Sequence, residues 1–214
     1  MKKSNARMLR NMIIVLAVSC VALMGASPLF ADIFGYEAEI KWGNTFFDID
    51  SIMGSWFTCS ESGTADSLTI GLHGWGTSKI KGAIYRKSDN FLVGETEEKN
   101  IFVGPAEWHT FNFLSSPQLS NEDYYLVMWY ETMTLGFKGE DFSGKGAYHY
   151  VSYGSDWPNP WSPTTTGGFA DVKYFIYCTY TPDGGGVPEI PAGAMPFLGV
   201  VLSLVIGRLR RFLK

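Results

Sequence analysis

The stretch KIKGAIY, residues 79–85, decides the fold. Its apolar residues alternate with polar or small ones, so Ile80 and Ile84 fall on one face of an extended chain and Lys81 falls on the other. A two-residue period is the pattern of a half-buried β-strand, since successive side chains of a strand point to opposite faces. The stretch therefore predicts a strand with one buried face.

The rest of the body repeats this pattern between turns. Further strands are predicted at 67–72, 109–113, 124–130 and 172–180, with shorter ones at 45–49 and 55–59. Turn signals rich in Gly, Pro, Asn, Asp and Ser separate them at 60–66, 74–76, 88–90, 104–105 and 120–121. Short aromatic-rich strands with frequent turns predict an all-β fold, an antiparallel β-sandwich or jelly roll.

The N-terminal residues have the pattern of a secretory signal. A basic segment is followed by an apolar run at 12–24 and by small residues up to Ala31, after which we expect cleavage. Residues 1–31 are therefore predicted to be a signal peptide that is helical in the membrane. Two alternatives remain open, lipidation at Cys20 and an uncleaved N-terminal anchor.

The C-terminal residues have the pattern of a membrane segment. A Gly/Pro linker is predicted at 182–191, after a sandwich domain at 32–181. Residues 192–214 then predict a transmembrane helix, because an apolar run is followed by a basic tail that would stay cytoplasmic. The predicted body would thus lie at the extracellular face of the membrane.

The linker contains a motif that is similar to a known class of C-terminal sorting signal. Pro188, Glu189 and Pro191, followed by the apolar run and the basic cluster, resemble the PEP-CTERM and PEF-CTERM sorting signals. The resemblance implies recognition by an exosortase or archaeosortase, which removes such a tail and attaches the protein to a surface component. Ile190 stands where the bacterial motif has proline. A permanent membrane anchor is the alternative.

Charge excludes one class of partner. Residues 32–187 contain nine basic and 20 acidic residues, a net charge of −11 that the basic termini hide in the whole-chain value of −4. A body with this negative charge repels phosphate backbones, and nucleic-acid binding is therefore not expected. Its length of 156 residues suits one domain.

Two cysteines, Cys59 and Cys178, lie in the predicted domain near its opposite ends. An even pair in an exported chain predicts a disulfide that would join the first strands to the last. The alternative is a pair of buried free thiols.

The body shows no convincing catalytic motif. No His or Cys pair has metal-ligand spacing, and the serine elbow and the phosphate-binding glycine patterns are absent from the sequence. We therefore expect a non-enzymatic protein, with no cofactor other than a structural Ca²⁺ for which Asp66 and Asp171 are candidates. A glycan-active hydrolase using paired carboxylates is the less favoured alternative.

Part of the body resembles a known class of module. The stretches KIKGAIYRKSDNFLVGETEE and EWHTFNFLSSPQLSNEDYYLVMWYE, within residues 65–135, are similar to extracellular β-sandwich modules. Such modules are typically non-catalytic, and many bind carbohydrate or act in adhesion. The resemblance implies the sandwich fold and a binding or adhesive role.

The candidate ligand-binding residues lie in the aromatic stretch at 146–168. They are Tyr153, Asp156, Trp157, Asn159 and Trp161. Prolines break any strand from 157 onward, which predicts a loop. Exposed rings beside amide and carboxylate groups suit a surface glycan; alternatively, both tryptophans fold back to cap an open end of the sandwich.

The expected function is therefore that of an exported, surface-anchored, carbohydrate-binding or adhesive protein. The alternative is a self-associating subunit of the envelope or extracellular matrix.

Overall fold

The computed structural model describes residues 31–40, 44–46, 51–132, 135–140, 144–154, 156–166 and 168–183. Residues 31–183 form a compact unit. The predicted signal peptide, sorting motif and transmembrane helix lie outside the described residues. Within those residues no helix is both long and apolar enough to cross a membrane.

The described chain is built almost entirely of strands. These are β1 (Asp32–Gly35), β2 (Asn44–Phe46), β3 (Ser51–Thr58), β4 (Gly63–Gly74), β5 (Gly76–Arg86), β6 (Leu92–Glu95), β7 (Lys99–Val103), β8 (Glu107–Asn112), β9 (Gln118–Leu119), β10 (Asp123–Tyr130), β11 (Leu135–Glu140), β12 (Gly146–Tyr150), β13 (Lys173–Tyr174) and β14 (Ile176–Pro182). One short 3-10 helix, Gly168–Asp171, is present among the described residues.

The strands form two antiparallel sheets. Sheet A has eight strands in the order β1-β14-β4-β11-β13, with β8 and β9 paired to β4 and β2 paired to β11. Sheet B has six strands in the order β12-β3-β10-β5-β6, with β7 also paired to β5. The all-β, antiparallel prediction is confirmed.

The main core is a cluster of apolar residues with members in both sheets. Ile80 and Ile84 of β5 are fully buried in it, as the alternation of KIKGAIY predicts. Leu68, Ile70 and Leu72 of β4 contribute to the same cluster from sheet A. The two-residue period therefore assigns the inward faces of both central strands correctly.

Several predicted boundaries differ from the structure, and two of these differences change how the strands pair. The segment 60–66 was expected to be a turn, but β4 already begins at Gly63, where it pairs with both β14 and β9. The predicted strand 172–180 is divided at Phe175. The Phe175 amide donates to the Lys138 carbonyl of β11, whereas Ile176 onward pairs with β4, so the chain changes neighbours at this residue.

The two sheets are joined along one side. Thr96 and Phe113 form an isolated bridge, and the Leu114 amide donates to the Glu95 carbonyl at 3.0 Å. These bonds connect the end of β6 to the end of β8, which belong to different sheets. They also satisfy backbone groups that an open edge would expose.

Candidate ligand-binding surface

The outward face of sheet B is apolar, although it points away from the main core. Strands β3, β5, β10 and β12 contribute its buried residues, which form a second cluster separate from the main core. Their side chains are those of Ile52, Ala83, Tyr85, Tyr125, Val127, Trp129 and Ala147. A face of this composition must be covered, because exposing so much aromatic and aliphatic surface to water is unfavourable.

The cover is the segment formed by residues 151–154 and 156–161, here called the strap. The Trp161 ring lies 5.3 Å from the Tyr85 ring and 5.2 Å from the Tyr125 ring. The Trp157 ring lies 5.3 Å from that of Trp129. The strap therefore adds a third layer over part of the sandwich.

Hydrogen bonds tie the strap to the strands and turns beneath it. They run from Trp129 Nε1 to the Val151 carbonyl (3.2 Å), from Tyr85 Oη to the Pro158 carbonyl (2.9 Å), from the Leu92 amide to Asn159 Oδ1 (3.1 Å) and from the Trp161 amide to the Asn90 carbonyl (2.9 Å). Burial also raises the pKa of Tyr85, so its hydroxyl stays a donor. The strap is thus held at both ends and in its middle.

Lys81 lies at the centre of this arrangement. Its side chain is only 4% exposed, and Nζ donates to the Gly154 carbonyl of the strap. Nζ lies 4.7 Å from the ring centroid of Trp129, 5.2 Å from that of Trp157 and 5.4 Å from that of Tyr153. Three rings around one ammonium form an aromatic cage, in which each contact is worth about 0.5–2 kcal/mol depending on desolvation.

The electrostatics of Lys81 have two opposing parts. Burial lowers its pKa, because leaving water disfavours the charged form. The carboxylates of Glu95, Glu98 and Asp156 act in the other direction. The Tyr153 hydroxyl donates to Glu98 Oε2 at 2.7 Å, which connects the cage to that carboxylate group.

The structure decides between the two alternatives for the tryptophans. Trp157 is 6% exposed and Trp161 is 1% exposed. Both rings fold back, as in the alternative, but they cover the outward face of sheet B and not an open end. Asp156 and Asn159 are exposed, and Asn159 Oδ1 accepts the Leu92 amide. Ligand contact through these residues stays a prediction, and for the two tryptophans it requires the strap to open.

The predicted disulfide is not formed in the structure. Cys59 and Cys178 are both buried free thiols. Burial raises the pKa of the Cys178 thiol well above its ordinary value, with a further contribution from nearby Cys59. The alternative of two buried thiols describes the structure as it stands.

The candidate calcium ligands are both exposed but lie on different elements. Asp66 belongs to β4 and accepts the Thr181 hydroxyl at 3.1 Å, while Asp171 ends the 3-10 helix. Among the described residues no group of three or more His, Cys, Asp or Glu side chains is arranged to hold a metal. Calcium binding stays a prediction.

Beyond the strap, the outward face of sheet B is open at the end of β5 and β7. Thr77 lies directly opposite Phe102, and Lys79 lies directly opposite Asn100. All four side chains are exposed, and Phe102 reaches 68%. Because opposite residues of paired strands have neighbouring side chains, an aromatic ring, an amide and a hydroxyl are presented together here.

Trp75 lies at the turn that leads into β5, where it is 65% exposed and its ring lies 6.3 Å from the His73 ring at the end of β4. The Gly74 amide donates to the Gly104 carbonyl at 3.0 Å, so this turn lies beside the turn after β7. A Cβ added to Gly104 would lie 3.6 Å from Phe102 Cε1, so the Phe102 ring leans over that second turn. Trp75, Thr77, Lys79, Asn100 and Phe102 are here called the β5–β7 surface.

Sequence reasoning missed the β5–β7 surface, although signals for it were present. Trp75 stands between two glycines within a predicted turn, where few neighbours can cover a large ring. Phe102 alternates with Ile101 and Val103, which turn towards the core in β7. A bulky aromatic on the outward side of an edge strand indicates an exposed ring.

Comparison with known proteins gives no family: no family model matches the chain, and no curated protein matches it. The structure itself defines the architecture: two antiparallel sheets packed as a β-sandwich, with an aromatic face of sheet B covered by the strap.

Proposed function

We propose that this chain is a non-enzymatic binding protein of the cell surface that binds neutral carbohydrate through the β5–β7 surface. The observation that carries the proposal is the exposure of Phe102 (68%), which lies directly opposite Thr77 and two residues from Asn100, and of Trp75 (65%) at the adjoining turn. Flat rings cover the apolar C–H faces of a sugar, while an amide and a hydroxyl exchange hydrogen bonds with its hydroxyl groups. The ligand class is neutral because the net charge of −11 over residues 32–187 repels anionic polymers.

The location of the protein is part of the same proposal. The signal-like residues 1–31 would export the body, and the tail at 192–214 would hold it at the extracellular face or deliver it to an exosortase or archaeosortase. Intact mass of the protein from its native envelope tests this. A mass equal to residues 32–214 would contradict removal of the tail.

Retention on insoluble neutral and anionic polysaccharides tests the binding proposal. Trp75→Ala and Phe102→Ala should each reduce retention on a neutral polysaccharide about fivefold or more, taking for a sugar on one ring the lower end of the about 1–3 kcal/mol found for a stacked base. Phe91→Ala is the matched control, since Phe91 is 49% exposed but lies outside the β5–β7 surface. Equal retention of all three variants and the unchanged protein would refute the site.

Self-association is the second candidate function. Ile33 is 44% exposed on β1, which among the described residues pairs only with β14 and so leaves its other edge available. Light scattering over a concentration series distinguishes the two functions. A mass that rises with concentration and falls with Ile33→Lys would favour assembly over carbohydrate binding.

A further inference from the structure

The closed strap has an unusual polar composition. Trp157 Nε1 and Trp161 Nε1 are buried and have no hydrogen-bond partner among the residues that the structure describes. Buried donors of this kind oppose closure, because in the open state water would satisfy them. They reduce the stability that ring burial and the strap's hydrogen bonds supply, so a further contact between the strap and sheet B would matter for closure.

The cage around Lys81 is the interaction with the right geometry. One of its rings, Trp129, belongs to β10, whereas Tyr153 and Trp157 belong to the strap. The Gly154 carbonyl that accepts from Nζ also belongs to the strap. The cage is therefore complete only when the strap lies on the sheet, and the ammonium contacts both parts.

We propose that Lys81 is a positioning residue that holds the strap closed, with its ammonium serving as the cation bound by the cage of Trp129, Tyr153 and Trp157. Burial disfavours the charge of this ammonium and lowers its pKa, whereas the carboxylates of Glu95, Glu98 and Asp156 act against burial and favour the charge. Glu98 also accepts the Tyr153 hydroxyl and lies 3.7 Å from Lys79 Nζ, so the closed strap is linked to the edge of the β5–β7 surface. The proposal does not rest on carbohydrate binding, because its readout is the closure of the strap.

Hydrogen exchange of the full chain, purified in mild detergent, measures closure at two amides. The Trp161 amide donates to the Asn90 carbonyl, and the Leu92 amide donates to Asn159 Oδ1, so both are protected only while the strap is in place. Lys81→Met, which keeps the length of the side chain and removes its charge, should speed exchange at both amides at least about tenfold. Lys79→Met is the matched control on the same strand face and should change neither amide. Unchanged exchange in Lys81→Met would overturn the proposal.

Chemical rescue separates a bound cation from simple filling of space. In Lys81→Ala, added n-butylammonium should restore slow exchange at the Trp161 amide, whereas 1-butanol at the same concentration should not. Rescue by both compounds, or by neither, would overturn the cation role. If Lys81→Ala does not fold, Lys81→Arg and Lys81→Met decide, since the proposal requires slow exchange in the first and fast exchange in the second; equal exchange in the two refutes it.

Discussion

Lys79 and Lys81 project from the same face of β5, two residues apart, into different surroundings. The Lys79 side chain is 47% exposed and lies on the open β5–β7 surface, whereas Lys81 is 4% exposed beneath the strap. The same difference separates Trp75, which is 65% exposed, from Trp161, which is 1% exposed. One sheet face thus contains a half that is covered by the strap and a half that is exposed to solvent.

The different exposure of Lys79 and Lys81 is explained by the strap, which covers the outward face of sheet B at Lys81 but not at Lys79. The Lys81 ammonium donates to Gly154, which is 73 residues away in the sequence. Around Lys79 the visible charged partner is Glu98 at 3.7 Å, and both side chains are more than two-fifths exposed. A surface ion pair of this type contributes only about 0.2–1 kcal/mol. Function is therefore expected where the cover ends.

The largest expected effect comes from removing a covered ring. Trp161→Ala should lower the free energy of unfolding by about 3–5 kcal/mol, because it leaves a cavity against Tyr85 and Tyr125. Trp75→Ala should change it by no more than about 0.5 kcal/mol, as for other exposed positions. Urea unfolding followed by circular dichroism measures both. Similar losses in the two variants would remove the distinction between covered and open halves.

A smaller effect is expected from reversing each lysine charge. Lys81→Glu places a buried carboxylate beside Glu95 and Glu98 and should lower the free energy of unfolding by about 3 kcal/mol. Lys79→Glu gives up one exposed ion pair and should cost about 1 kcal/mol or less. Thermal melts of the two proteins under identical buffer conditions test the difference. If Lys79→Glu proved the more damaging, the assignment of the buried and exposed lysine would be wrong.

The period of KIKGAIY was sufficient to predict the strand and its inward residues, but not the surroundings of Lys81. Alternation reports which side chains share a face, because it follows from the pleat of one strand. It carries no information about a segment from elsewhere in the chain that lies on the other face. The strap is such a segment, so a face that the pattern leaves half-buried is in fact covered.

The aromatic stretch at 146–168 also shows that a local sequence pattern does not reveal which distant segments a residue packs against. Its prolines correctly predict a loop from Trp157 onward, apart from one isolated bridge between Thr164 and Tyr148. The sequence left two outcomes open, exposed rings on this loop or rings folded back onto an open end of the sandwich. Large rings are nevertheless buried wherever an apolar face can receive them, and that face is assembled from four strands far apart in the sequence. The β5–β7 surface was missed for a related reason, since its residues meet only through the pairing of β5 with β7.

The smallest expected effect concerns the titration of Lys81. Burial lowers its pKa, so Lys81 should titrate below the ordinary lysine value of about 10.4, as read from the chemical shift of its ε-carbon by NMR. Between the two values the folded state binds fewer protons than the unfolded state, so the contribution of Lys81 to stability rises as the pH rises through this window. The difference in unfolding free energy between the unchanged protein and Lys81→Met should therefore grow in favour of the unchanged protein as the pH rises towards the ordinary lysine value. Lys79→Met removes a nearby positive charge and frees Glu98, so it should not lower the midpoint of Lys81. A midpoint at or above the ordinary lysine value would contradict the prediction. It would mean that the cage and the three carboxylates stabilise the charged form of Lys81 more than burial destabilises it.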